Sequence, residues 1–533
     1  MCGIAVAIDW DGAGEIVRQL VEGLQHRGDI TDPIATPKPL TAMATRRLRI
    51  VDGQHAVQPQ SSWDGRVLVS FNGEIYNHAA LRRDLEAEGA RFRTESDTEV
   101  LATALSLWGP KALTRLNGMY AFVAVDVRSG EFLAARDPFG TKPLYLIQSK
   151  TGFLFCSEIR PLLSAVPQGD VLLLPPGHLL TRTNLFRFKS FEVDPNHTKI
   201  PHDPAKLDLL LAAAVHSRVP SDLPFALLFS GGIDSTLVAH YARQVRPKAP
   251  AYFLGASGAP DYEHAQRYAD MTDLDLRIVD LEADKLGSSD FIPEVVKTIE
   301  SFEPEVVRGS LCTYHLARYI HQEGYRVALC GEGADELFAG YMPLELAFGD
   351  SDSAGIFVRN QHIDSMHKTC LQRTDRCGMR FQLELREPFL DPTIVDYALG
   401  LSRDALVEEI DQSSRGKAPL RSLYNLYPEE LPISIRDRKK TLLNEGCGFD
   451  REQGRQPWND FAEQTIGDRE FTEGKKRFAT FDLRSKEEFL YLDTLAETMD
   501  VFRVPHLTSR VRLAIPAVKN YEVLLPYAIA AAT

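Results

Sequence analysis

Cysteine pairs at metal-binding spacing are missing from this chain. Its seven cysteines, Cys2, Cys156, Cys312, Cys330, Cys370, Cys377 and Cys447, are odd in number and scattered. That pattern argues against zinc and against a disulfide scaffold, and it fits a reduced, intracellular setting. No stretch approaches the ~18 apolar residues of a membrane helix. The start lacks the basic residues and apolar core of a secretory leader, so no membrane partner and a cytoplasmic location are expected. The apolar stretch Val523 to Ala532 is short and holds a proline, so docking on the body is expected. Basic charge is also scarce. Sixty Lys and Arg face 74 Asp and Glu, a net charge of −14, which excludes nucleic acid as a bulk partner while allowing a local basic pocket. Repeats and low-complexity blocks are absent.

What remains is ordinary soluble composition, 44% apolar and 25% charged, in 533 residues. That length exceeds a single core, so two or more domains are expected. The first ~190 residues read as short strands interrupted by two helices. The strands include Val67 to Phe71, Met119 to Val125 and Phe153 to Cys156; one helix runs from Asn77 to about Ala87 and the other begins near Thr98. This pattern predicts an α+β sandwich. The polar segment Val193 to Pro204 is the candidate linker. Beyond it, strand-like Phe225 to Phe229, Ala251 to Gly255, Asp275 to Leu281 and Arg326 to Cys330 alternate with helical stretches. Such alternation predicts a parallel sheet covered by helices. From about Ala354 onward the chain reads mostly helical.

Chemistry concentrates in two places. The first is Met1-Cys2-Gly3-Ile4. If Met1 is removed, Cys2 carries thiol and α-amine together, a nucleophile with its own base. Asn72-Gly73 can supply an amide and a backbone N–H to an oxyanion. Arg47 can grip a carboxylate with two donors, and Glu74 and Asp97 can hold an ammonium group. The plainer alternatives are a hairpin turn at Asn72-Gly73, a solvated Arg47 and a helix cap at Asp97.

These runs resemble the class II, N-terminal-nucleophile glutamine amidotransferase domain. The resemblance also rests on His26-Arg27-Gly28, Arg47 to Asp52, Gly118 to Phe122 and Arg136 to Tyr145, in family order. It implies antiparallel sheets between helices, Cys2 as nucleophile, and Asn72 with Gly73 as oxyanion donors. It also implies glutamine binding by Arg47, Asn72, Gly73, Glu74 and Asp97, with the backbone of Ile50 and Val51 lining the pocket. Asp29 stands where the family usually has proline.

The second place is Ser230-Gly231-Gly232-Ile233-Asp234-Ser235, between a strand and a helix. Glycines let backbone N–H groups approach phosphate, and the helix start favours negative charge. Asp234 can bind Mg²⁺. A strand–turn–helix glycine pair can also be purely structural.

The hexamer resembles the pyrophosphate loop of ATP pyrophosphatases. Leu329 to Tyr341, Arg386 to Asp391, Gly416-Lys417, Arg421, Lys440 through Gly446 and Gly448 look like the later signatures. Joined to the first domain, the whole resembles the glutamine-hydrolysing asparagine synthetases over about residues 1–450. The resemblance implies a glutaminase domain at 1–192 and an adenylate-forming synthetase domain at 205–533. Ser230, Gly231, Gly232, Asp234 and Ser235 would hold pyrophosphate and Mg²⁺, with Asp335 a second metal ligand. Leu228, Leu254, Cys330 and Gly331 would line the adenosine pocket. Lys440 would contact phosphate, Glu332 would take a proton from the incoming ammonium, unless it only pairs with a basic neighbour, and Arg308 would bind the acceptor's α-carboxylate. Small-molecule partners follow: glutamine, ATP and a carboxylic acid, expected to be L-aspartate. A homodimer is left open.

Two departures bear on the acceptor. Glu305, Val306 and Val307 stand where the family typically places threonines, and Met342 to Leu346 replace a Phe-His-Lys-Ala-Pro-like run. A different carboxylate, from specialised metabolism, is the alternative. A β-lactam-synthetase-like cyclase would lack the glutaminase cysteine. Sugar or phosphoribosyl amidotransferases would lack residues 230–235 and 331–336. A storage or regulatory protein would have lost key side chains, and none is lost.

Overall fold

The computed structural model describes residues 2–53, 55–191, 193, 199–255, 258–280, 291–410, 413–441, 443–448 and 457–507. The stretch Val523 to Ala532, residue 1 and part of the candidate linker lie outside them. In the first region, β1 (Cys2–Ile8) pairs antiparallel with β2 (Thr41–Arg47). Facing that sheet is a second, in which β3 (Val67–Ile75) pairs antiparallel with β4 (Gly118–Asp126) over nine positions. Alternation along β1 decides which face meets which neighbour. Ile4, Val6 and Ile8 enter the core between the sheets, with Val123, Phe132 and Phe155. Small Ala5 and Ala7 point the other way, where Val17 and Leu20 of α1 (Ala13–Glu22) close over them. On the far side, Phe71 packs beneath α2 (His78–Ala87) and α3 (Asp97–Trp108) through Leu81, Leu85, Val100 and Leu101. The result is helix, sheet, sheet, helix, as the strand pattern predicts. Each such fully buried side chain contributes about 1.5–3 kcal/mol before entropy is counted.

The second region holds a parallel sheet. Its strands are β5 (Ala226–Leu228), β6 (Ala251–Leu254), β7 (Leu276–Val279), β8 (Val327–Leu329) and β9 (Glu384–Arg386). Their spatial order is β7-β6-β5-β8-β9. The chain builds outward from β5 in one direction, then returns to build in the other. The loops after β5 and β8 therefore diverge at a topological switch point, where open α/β sheets bind ligands. Those loops carry Ser230 to Ser235 and Cys330 to Glu332. Around the sheet stand α4 (Ile233–Val245), α5 (Pro304–Gln322), α6 (Ala334–Leu337), α7 (Cys370–Met379), α8 (Ala418–Leu423) and α9 (Lys486–Ala496). A short antiparallel hairpin, Glu408–Ile410 with Ser413–Arg415, interrupts the helical run after Ala354. No described helix is long and apolar enough to cross a membrane.

Buried ion pairs join the two regions. Arg27 is fully buried and donates to the Cys2 carbonyl (3.1 Å), to Glu158 (2.9 Å) and to Asp375 of α7 (3.0 Å). Arg376 of the same helix meets Glu158 (2.9 Å) and Glu300 (2.8 Å). Removing one partner from such a buried pair costs about 3–5 kcal/mol.

Two candidate active sites

At the first site, Cys2 sits at the end of β1, and its thiol is buried, which pushes its pKa up. The Cys2 N–H donates to Asn72 Oδ1 (2.9 Å). Asn72 Nδ2 is buried and has no hydrogen-bond partner. An orphan donor of this kind, beside a nucleophile, suits a developing oxyanion. Asn72-Gly73 is no hairpin turn: both residues lie inside β3. Gly73 has φ +155°, and a Cβ there would stand 2.0 Å from the Met119 carbonyl. Only glycine lets the two strands approach this closely.

Asp97 is not the helix cap. Ser96 caps α3 by accepting from Thr98 N (3.1 Å), while buried Asp97 accepts from Ile75 N (3.0 Å). Burial raises the Asp97 pKa, with His78 opposing. Arg47 is not solvated either. It is buried, and its fork holds Asp32 at 2.7 and 3.1 Å while donating to Gly53 O at 3.0 Å. Glu74 is buried, with its pKa raised to about 8: burial pushes it up and Arg386 pulls against that. One small pocket is lined by Cys2, Arg47, Ile50, Val51, Gly73, Glu74 and Asp97 together. Gln58 also lines it and approaches the thiol, with Nε2 3.9 Å from Sγ.

At the second site, the turn after β5 uses Gly231 at φ +65°, where a Cβ would meet Ala265 N at 2.7 Å. Ser230 N donates to Ser235 Oγ (3.2 Å), which donates to Gly232 O (3.2 Å), so the loop is tied before any ligand arrives. Lys417 bridges Asp234 (2.5 Å) and Asp335 (2.7 Å), and Lys440 adds a second contact to Asp335 (2.7 Å). Burial works against the Asp335 charge, but the two lysines hold its pKa down at about 2. Burial raises Asp234 against the pull of Lys417. Lys440 is raised: burial opposes its charge, and Asp335 and Asp234 outweigh burial.

An adjoining recess takes Lys417, Arg421, Arg438, Lys439 and Lys440 against Asp234, Asp261 and Glu345. Five cations over three acids make a site for a polyanion. Beside it, a cavity of about 160 Å³ is lined by Leu228, Leu254, Cys330 and Gly331, with Phe253, Leu316, Glu332 and Thr374. Glu332 pairs with Arg373. Burial, Asp335 and Glu332 raise neighbouring Glu336 to about 7.

Most of the sequence-derived residues thus gather in two pockets. Arg308 does not line the cavity's described wall. Glu487 of α9 holds it at 3.0 and 2.6 Å, and Glu305 stands 3.6 Å away. Sequence reasoning passed over Asp32, Gln58, Lys417 as a bridge, Arg373 and Glu487. Their partners lie far away in the chain, and no local pattern announces them.

The comparisons with known proteins agree with this division. A family described as glutamine amidotransferase domain matches residues 1–172, and one described as asparagine synthase matches 206–356 and 349–503. A Schizosaccharomyces pombe protein named probable asparagine synthetase (glutamine-hydrolyzing) is 29% identical, covering 92% of each chain. Asparagine synthetase (glutamine-hydrolyzing) 3 of Arabidopsis thaliana is 31% identical over 84% of this chain and 79% of its own. A Dictyostelium discoideum protein, again named probable asparagine synthetase (glutamine-hydrolyzing), is 30% identical over 92% of each.

Proposed function

The chain belongs to the asparagine synthase family, with a glutamine amidotransferase domain in front, and from that premise we propose that it amidates L-aspartate, giving asparagine, glutamate, AMP and pyrophosphate. It is a glutamine-dependent carbon–nitrogen ligase that uses ATP. The glutaminase reading takes residues 1–192 and the synthetase reading 205–533, in a cytoplasmic enzyme.

In the first half-reaction, Cys2, freed of Met1, attacks the glutamine side-chain amide; the C–N bond breaks to release ammonia, and water then hydrolyses the Cys2 thioester to glutamate. The Cys2 thiol pKa lies above the usual value because of burial, so a base beside it is needed, and the α-amine is that base. Asn72 Nδ2 and the Gly73 N–H receive the oxyanion. Glu74 and Asp97 take the glutamine ammonium. Arg47, held by Asp32, takes the glutamine carboxylate with what its fork has left.

In the second, Leu228, Leu254, Cys330 and Gly331 hold the adenosine, and residues 230–235 hold the pyrophosphate. The acceptor carboxylate attacks the α-phosphorus, and Lys440 offsets charge on the departing pyrophosphate. Mg²⁺ fits here. Asp234 Oδ1 is buried without a hydrogen-bond partner. No group of three or more candidate ligands stands ready among the described residues. Asp234 and Asp335 would therefore hold the ion together with ATP phosphates, as magnesium prefers. It would supply charge neutralisation. Ammonia then attacks the acyl carbon of the adenylate, AMP departs as the acyl–oxygen bond breaks, and Glu332 accepts the surplus proton.

One observation carries the coupling of the halves. Helix α7 serves both pockets: Arg373 and Thr374 line the nucleotide cavity, while Met379 packs with Leu48 and Met119 beside the first pocket. Thr374 and Met379 are about 8 Å apart along the helix axis. That apolar contact supports a short, dry route for ammonia. A second acceptor reading, a carboxylic acid other than aspartate, is favoured by the Arg308–Glu487 pair, which leaves Arg308 committed elsewhere. The test is incubation with amide-¹⁵N glutamine, ATP and aspartate. Labelled asparagine with AMP in equal amount is the expected result. ATP cleavage to AMP only with another acid would replace aspartate, and no AMP with any acid would end the reading.

A further inference from the structure

We propose that Arg386, on edge strand β9 of the nucleotide-binding sheet, is a positioning residue for glutamine, fixing Glu74 so that the amide-donor site is completed by the second region of the chain. The inference rests on reading Glu74 as a ligand of the glutamine ammonium.

Arg386 is buried, and each arm of its guanidinium is spent. Nε donates to Glu384 Oε1 (2.6 Å), Nη1 to the Arg218 carbonyl (2.8 Å) and Nη2 to Glu74 Oε2 (3.1 Å). The planar fork is thereby locked before glutamine arrives. A lysine could not hold all three acceptors at these angles. The contact takes one Glu74 oxygen, and Glu74 lines the pocket with Cys2 and Asp97. A carboxylate held this way meets an ammonium group at no further cost in side-chain freedom.

Charge gives the contact its purpose. Burial, Asp97 and Glu384 all push Glu74 toward its neutral form, while Arg386 and the amino-terminal charge oppose them. His78 faces Asp97 from the next helix. A neutral Glu74 cannot pair with an ammonium. With its pKa already raised to about 8, Glu74 keeps only a minor ionised fraction at pH 7 before glutamine binds; without Arg386 that fraction shrinks further, and ionisation needs a higher pH.

The same residue touches the second site through its main chain. The Arg386 carbonyl accepts from the Cys330 N–H (3.0 Å) and lies 3.6 Å from the Cys330 thiol. Cys330 lines the nucleotide cavity. One residue of β9 therefore braces both pockets, its side chain in one and its carbonyl behind the other.

The test uses the full-length enzyme, with glutaminase kinetics measured across pH 6 to 9 for wild type, Arg386→Gln and Arg386→Lys. For Arg386→Gln, the glutamine KM at pH 7 should rise about tenfold or more, while kcat at saturating glutamine stays within about threefold. The acid limb of kcat/KM should move to higher pH by about one unit, because the neutral form of Glu74 persists further. Arg386→Lys keeps the buried charge and should recover the pH limb but only part of the KM. It also serves where the glutamine variant fails to fold. A bare interdomain staple would lower thermal stability and leave KM and the pH limb unmoved; that result in either variant overturns the inference. A wild-type enzyme without glutaminase activity would instead overturn the reading of the first site.

Discussion

The two pockets solve opposite electrostatic problems. In the first, most charges near Cys2 are paired before a ligand enters, Arg47 with Asp32, Glu74 with Arg386, and Arg27 with Glu158 and Asp375, while Asp97 accepts from a backbone N–H. The Asn72 amide there is a neutral donor without a partner. In the second, five cationic side chains face three acids in the polyanion recess, with Asp335 behind them as a fourth. The difference follows the ligands. A zwitterion such as glutamine brings no net charge, so a neutral, pre-tied pocket receives it without leaving a buried ion bare. A polyphosphate brings several negative charges, and a site left electropositive is the one it fills.

The sharpest way to break this comparison is to remove one pocket's chemistry and ask whether the other survives. Cys2→Ala deletes the nucleophile, so glutamine-driven product formation should vanish, while ammonium chloride still supports ATP-dependent synthesis. Product measured with glutamine alone would show that the thiol is not the nucleophile. Lys440→Ala cuts the other way. Loss of one charge at the departing pyrophosphate should slow pyrophosphate release by about 10²–10³-fold, with glutamine hydrolysis continuing. Equal losses in both activities would mean the pockets are not separable as described.

A gentler cut goes between them. Met379 is fully buried and packs with Leu48 and Met119. Met379→Ala should cost about 2–5 kcal/mol through the cavity it leaves, read as a lower denaturation midpoint. It should also open the apolar contact to water, so glutamate formed should exceed amide product. Stoichiometry that stays balanced in a folded variant would remove Met379 from the ammonia route.

How much of this was legible beforehand depends on how local the signal is. The placement of residues 230–235 and 331–336 between a strand and a helix start was readable because loop, strand and helix are contiguous. The sandwich was readable from strand alternation. Strand β9 was not. Glu384-Leu385-Arg386 is three residues long and two of them are charged, a pattern that reads as surface. It is buried because Glu384 and Arg386 satisfy one another and reach Glu74. The partner of Arg308 was hidden for a related reason: Glu487 is 179 positions away, and only the packing of α9 against the body brings that carboxylate to it. Ion pairs chosen by tertiary packing leave no trace in local spacing.

The smallest expected effect separates the pockets without a mutation. Screening shortens the reach of exposed charge, from about 10 Å at 0.1 M salt to about 3 Å at 1 M. The polyanion recess draws on several cations at once, and Lys440 is about one-third exposed, so its attraction for ATP should weaken as salt rises. The glutamine pocket depends on ion pairs that are almost wholly buried, Arg47 with Asp32 and Arg386 with Glu74, and its ligand has no net charge. Raising potassium chloride from 0.05 to 0.5 M should therefore raise the KM for ATP by about two- to threefold through screening and leave the KM for glutamine where it was. Isothermal or kinetic titration at fixed magnesium checks it. Parallel shifts in both constants would mean that net charge is not what distinguishes the two sites, and the contrast drawn from their side chains would have to rest on shape alone.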